Sequence, residues 1–85
     1  MTSKIKLYKK VINNPKNIRF NELDSILIDN GYKRRQSGKG SSHYVYSHPL
    51  IDIIIVLVTH GRNDILPEYQ VRKAIQSIKK LEEEL

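Results

Sequence analysis

The 85-residue chain contains no cysteine and no tryptophan. Without cysteine there is no disulfide, no thiol nucleophile and no thiolate metal site, a composition that suits a reducing cytoplasm. The longest apolar run, Ile53 to Val58, is six residues, far short of the roughly 20 that span a bilayer. Met1-Thr2-Ser3-Lys4 leads into a lysine-rich amphipathic stretch, not the apolar segment and small-residue cleavage site of a secretory signal. The expectation is a cytoplasmic protein with no membrane association. Three histidines and scattered carboxylates show no metal-ligand spacing, so neither a metal nor another cofactor is expected.

Acidic residues are also in short supply. Nine Asp and Glu face fifteen Lys and Arg, for a net charge of +6. Ten of the fifteen cations precede Gly40, among only three acids, Glu22, Asp24 and Asp29. A basic surface of this kind is the electrostatic footprint of a polyanion binder, most often of nucleic acid. The length allows one domain with a single modest core, residues 1–85.

Ile5, Tyr8, Val11 and Ile12 fall at helical spacing, so residues 4–13 should form a helix that Asn14-Pro15 ends. A second helix should start at Asn21 as N-cap, with Asp24 in the place of a capping-box acid and Leu23, Ile26, Leu27 and Ile28 as its apolar stripe. Asn30-Gly31 supplies a left-handed stop. Three strands follow: Tyr32 to Gln36, Ser42 to Ser47, and Asp52 to Val58, the last an almost continuous β-branched run. Ser37 to Ser41 is a hinge, His48-Pro49-Leu50 a turn, and Thr59 to Leu66 a polar loop. Pro67 fits a first helical position, and Val71, Ala74, Ile75, Ile78 and Leu81 mark the core stripe of a last helix. The order α-α-β-β-β-α, with short connections, packs most economically as an α+β domain: a three-stranded antiparallel sheet with helices on one face.

One stretch bears on chemistry. Gly38-Lys39-Gly40-Ser41-Ser42-His43-Tyr44-Val45-Tyr46 is a basic hinge that runs into a strand. It sets one imidazole at the mouth of a hairpin, near Arg34, Arg35 and Lys39. If Tyr44 and Tyr46 face the helices, alternation sends His43 to the open face. An imidazole can both accept and return a proton near neutral pH, and the cations around it would attract a phosphodiester. The second cationic group is Arg62, Arg72 and Lys73, the last two near the start of the final helix. Ser42 completes the candidate RNA-binding set. His60 is a candidate second proton-transfer group, whereas His48, before a proline, reads as structural.

Asn14-Pro15-Lys16-Asn17-Ile18-Arg19-Phe20-Asn21-Glu22-Leu23, then Gly31-Tyr32, Gly40-Ser41-Ser42-His43 and Tyr69-Gln70-Val71-Arg72 together resemble the HicA toxin family. The family's usual Gly-Ser-His is Gly-Ser-Ser-His in this chain. The resemblance implies a double-stranded-RNA-binding-domain-like fold, with residues 1–14 as an additional N-terminal helix. It also implies a metal-independent endoribonuclease acting on mRNA, the toxin of a type II toxin–antitoxin pair active in stress response. His43 would be its catalytic histidine, and a HicB-type antitoxin would cover its active face. Two other classes remain open on the residues themselves: a non-catalytic RNA-binding module and a protein-interaction module that docks through the open sheet face.

Overall fold

The computed structural model describes residues 2–36, 43–61 and 63–84, with side chains described from Tyr8 onward. The elements are α1 (Thr2–Asn13), α2 (Phe20–Asp29), β1 (Lys33–Gln36), β2 (His43–His48), β3 (Ile51–Val58) and α3 (Glu68–Glu84). The three strands form one antiparallel sheet in the order β1-β2-β3. This is the expected α+β architecture.

Strand alternation divides the sheet into two unlike faces. Tyr46, Ile55 and Leu57 are fully buried against the helices, and Tyr44 packs its ring on Phe20 with centroids 4.8 Å apart. The residues between them point the other way: His43 and Val56 are exposed, and Ile54 is 53% exposed. The expected parity of β2 is therefore observed, with the tyrosines inward and His43 outward. Between Tyr46 and His48 the register against β3 shifts, just before the turn that joins the two strands.

The cap of α2 lies two residues earlier than its sequence signals suggest. Arg19, not Asn21, occupies the N-cap position, with extended backbone angles. Its N–H donates to Glu22 Oε1 at 3.0 Å, so Glu22 is the capping acid and Asp24 is not. This choice lets Phe20 enter the core as the first helical residue. At the other end the stop is as expected: Gly31 adopts φ +91°, and the Tyr32 N–H closes onto Leu27 O at 3.1 Å. Ile28, expected in the apolar stripe, is 44% exposed, because the helix turns that position away from both the sheet and α1.

α3 carries the largest share of the core through Val71, Ala74, Ile75, Ile78 and Leu81, all buried. Each large aliphatic side chain removed from water contributes about 1.5–3 kcal/mol. Pro67 lies just outside this helix and not in it. Its carbonyl accepts the N–H groups of Gln70 and Val71, leaving the proline's lack of a donor harmless. Tyr32, expected to open β1, precedes it and is buried, with its hydroxyl 2.7 Å from Ser77 Oγ. α1 adds Val11 to the core and is joined to α2 by Lys10 Nζ and Glu22 Oε2 at 2.6 Å.

The loop from Thr59 to Leu66 is anchored at its two ends. Thr59 and Leu66 are buried, and Leu66 N–H donates to Ile18 O at 2.8 Å. Arg19 and Ile65 form an isolated antiparallel bridge. Asn17 takes φ +60°, a conformation that asparagine tolerates better than most residues, and turns the chain so that Ile18 and Phe20 both reach the core.

Candidate functional site

The open face is built by residue pairs across the sheet. Arg35 of β1 stands opposite Val45 of β2, which stands opposite Val56 of β3; Lys33 pairs with Ser47, and His43 with Val58. Opposed residues in antiparallel strands share a face. The result is an apolar centre of Val45, Ile54 and Val56, with Lys33 and Arg35 on the β1 side and His43 at one end.

His43 is exposed and opens β2, beside the last residue of β3. The chain leaving β3 reaches His60 two residues later, so both candidate proton-transfer histidines lie at the same end of the sheet. The turn carrying His60 is well held. The Thr59 hydroxyl donates to Gly61 O and accepts the Gly61 N–H at 3.2 Å. The His60 N–H donates to Asp64 Oδ2 at 3.2 Å, while the His60 ring is exposed.

The first turn of α3 adds a third component that sequence reasoning missed. Gln70 is only 4% exposed, yet its carboxamide is satisfied at both ends. Oε1 accepts the Val58 N–H at 3.2 Å, and Nε2 donates to the Tyr69 hydroxyl at 3.3 Å. A signal was present: Gln70, Ala74 and Ile78 follow helical four-residue spacing, so Gln70 is a polar residue on an apolar stripe.

The cations separate into distinct groups. Arg35 and Lys73 are exposed. Arg34 was expected to bind RNA beside Arg35, but it lies on the helix-facing side of the sheet. Its Nη1 contacts both carboxylate oxygens of Asp24, at 2.9 and 3.0 Å. Tyr46 donates its hydroxyl to the same carboxylate at 2.6 Å. The hydrogen bond to Asp24, followed by its charge, holds the Arg34 guanidinium protonated even more firmly than usual. Burial, then the hydrogen bond and charge of Asp24, push the Tyr46 phenol well above its ordinary range. Arg34 is thus a structural cation that fastens β1 and β2 to α2. Arg72 forms an ion pair with Glu68 one turn earlier, which tempers its charge toward any ligand. Lys39, Ser42 and Arg62 lie outside the described residues.

His48 has a structural position. Its Nδ1 accepts the Leu50 N–H at 3.1 Å, so Nε2 carries the proton toward Asn30 O, also at 3.1 Å. Its ring meets Tyr32 edge-on with centroids 5.1 Å apart. A Cβ at Gly31 would stand 3.1 Å from His48 Nε2, so the glycine serves this contact as well as its positive φ.

Among the described residues, no three His, Asp or Glu side chains are grouped to hold a metal ion. No helix of the described residues is long and apolar enough to cross a membrane. A cavity of about 410 Å³ lined by Tyr8, Ile12, Asn30 and Glu82 lies toward the far end of α3 from Gln70. Compared with protein families, curated proteins and solved structures, the chain matches no family model, no curated protein and no solved structure.

Proposed function

We propose that this chain is a HicA-like mRNA endoribonuclease of double-stranded-RNA-binding-domain-like fold, the toxin of a type II toxin–antitoxin pair. It acts in the cytoplasm without a metal, and a HicB-type antitoxin neutralises it by covering the open sheet face. The observation that carries this reading is His43, exposed at the end of β2 on a face whose β1 side is cationic. A purely RNA-gripping sheet has no need of an imidazole there.

In this mechanism His43 accepts the proton of a ribose 2′-OH. The 2′-oxygen bonds to phosphorus, and the bond to the 5′-oxygen breaks. The leaving oxygen takes a proton from the second acid, for which His60 is the candidate. Arg35, Lys39, Arg62 and Lys73 offset the additional charge of the pentavalent transition state. The requirement for a 2′-OH restricts the substrate to RNA, and in-line attack favours an unpaired strand. The half-buried Val45 and the exposed Ile54 and Val56 suit a protein cover on this same face, since base-edge readout has little use for aliphatic side chains.

Positioned proton transfer contributes roughly 10²–10⁴-fold in rate, so His43→Ala should reduce cleavage by that factor while leaving the circular dichroism spectrum and melting unchanged. Native protein incubated with RNA and EDTA should release 2′,3′-cyclic phosphate and 5′-OH ends by mass spectrometry. Undiminished cleavage by folded His43→Ala overturns the assignment. RNA binding with no cleavage by the native protein would leave a non-catalytic RNA-binding module.

A further inference from the structure

The end of the sheet also has near it a largely exposed aromatic side chain. Tyr69 is 71% exposed, although it neighbours the buried Gln70 and Val71 on the helix that supplies the largest share of the core. Its hydroxyl accepts a hydrogen bond from Gln70 Nε2 at 3.3 Å. The other end of that carboxamide holds Val58 N–H at 3.2 Å, and Val58 is the residue opposite His43. A single buried carboxamide therefore links an exposed phenol to the strand position facing the candidate catalytic histidine. Burying a glutamine amid apolar side chains is costly unless both ends are satisfied. Here its partners are a strand-end amide and Tyr69, an arrangement that adds nothing to the apolar core and sets the orientation of one ring.

Val58 N–H points toward α3 and so away from β2, because antiparallel residues alternate in the direction of their backbone groups. Tyr69 therefore stands at the outer edge of β3, level with His43. An RNA strand that ran from His43 across β3 would bring a base to that edge.

We propose that Tyr69 is a nucleobase-binding site: its ring stacks on the base next to the scissile phosphate, and Gln70 is the positioning residue that presents it. This rests on the ribonuclease reading of His43. Stacking accepts any base because every base has a π-face, so Tyr69 contributes affinity and registration of the strand more than sequence choice. Its hydroxyl accepts one bond from Gln70 and retains its O–H for donation to the nucleotide.

The test uses the full chain carrying His43→Ala, so that RNA stays intact, and short single-stranded RNAs that each contain one 2-aminopurine. Adding Tyr69→Ala should weaken binding roughly 5- to 150-fold and abolish the fluorescence quenching at one nucleotide position. Tyr69→Phe, which keeps the ring, should retain that quenching. Neither change should alter the slope of log affinity against log salt, because no phosphate contact is lost. Gln70→Leu should leave the protein folded but spread the quenching over neighbouring positions. Native affinity and native quenching in Tyr69→Ala overturn the inference, as does a loss accompanied by a shallower salt slope. Those results leave the ribonuclease reading standing if His43→Ala has silenced cleavage. Failure of the native protein to bind or cleave RNA removes both.

Discussion

Arg34 and Arg35 are adjacent, chemically identical, and assigned by strand parity to different tasks. Arg34 turns to the helix side, where it contacts both oxygens of Asp24. Arg35 turns to the open side, in line with Val45 and Val56. The same division runs along β3, where Leu57 is fully buried and Val56 is 42% exposed. One face of this sheet is committed to holding the molecule together and the other is available to a ligand. Charge in a sequence therefore says little about ligands until the face on which it stands is known.

The sharpest way to break this contrast is a pair of truncations in β3. Leu57→Ala should destabilise the protein by about 2–5 kcal/mol, the usual cost of removing a buried aliphatic side chain. Val56→Ala should cost under about 1 kcal/mol, since much of its side chain already meets water. Urea unfolding of the two variants measures both, and similar losses would dissolve the distinction between the faces.

A second pair sharpens the comparison of charges. Asp24→Ala leaves the buried Tyr46 hydroxyl without its acceptor and Arg34 without its counter-ion, at a cost of about 2–4 kcal/mol. Arg35→Ala should stay within about 0.5 kcal/mol of native stability, while lowering RNA affinity and the salt dependence of binding by about one phosphate contact. Calorimetry and fluorescence anisotropy read the two properties separately. A stable Asp24→Ala protein, or an Arg35→Ala protein that binds RNA as the native chain does, would show that the two arginines are not divided in this way.

The smallest effect is a pH dependence confined to the helix-facing side. Burial and the neighbouring Asp24 raise the Tyr46 phenol above its ordinary value, so the folded state retains a proton that the unfolded chain releases near pH 10. That contribution to stability is complete below about pH 10, and it is lost as pH rises toward the folded-state value. The slope is about 1.4 kcal/mol per pH unit. Tyr32 and Tyr8, both raised first by burial, act in the same direction. In Tyr46→Phe the alkaline fall in urea midpoint should be shallower by about one proton, from a lower starting stability. An unchanged slope would mean that this phenol titrates no differently once the protein unfolds.

Several parts of the fold were legible because their signals are local. The Leu23–Ile26–Leu27 and Val71–Ala74–Ile75–Ile78–Leu81 stripes follow helical periodicity, and all are buried. Gly31 followed from the need for a left-handed residue after a helix, and the outward direction of His43 from alternation with Tyr44 and Tyr46. The N-cap of α2 was not legible in the same way. Asn21 is the better capping residue by type, but starting there would have left Phe20 outside the helix. The core takes Phe20 and leaves the cap to Arg19 with Glu22. Asp24 was misread for a related reason, since its partners Arg34 and Tyr46 are 10 and 22 residues away.

By itself the sequence determined the element order, the antiparallel hairpins, the stripes that face the core and the basic character of the surface. Each of these depends on spacing within a few residues, over which backbone geometry is nearly invariant. Only the tertiary structure decided which arginine meets a buried carboxylate and which turns to the open face. It alone brought Gln70 and Tyr69 to the end of the sheet that carries His43. Those assignments depend on distances between residues remote in sequence, and such distances exist only after the helices have packed against one face of the sheet.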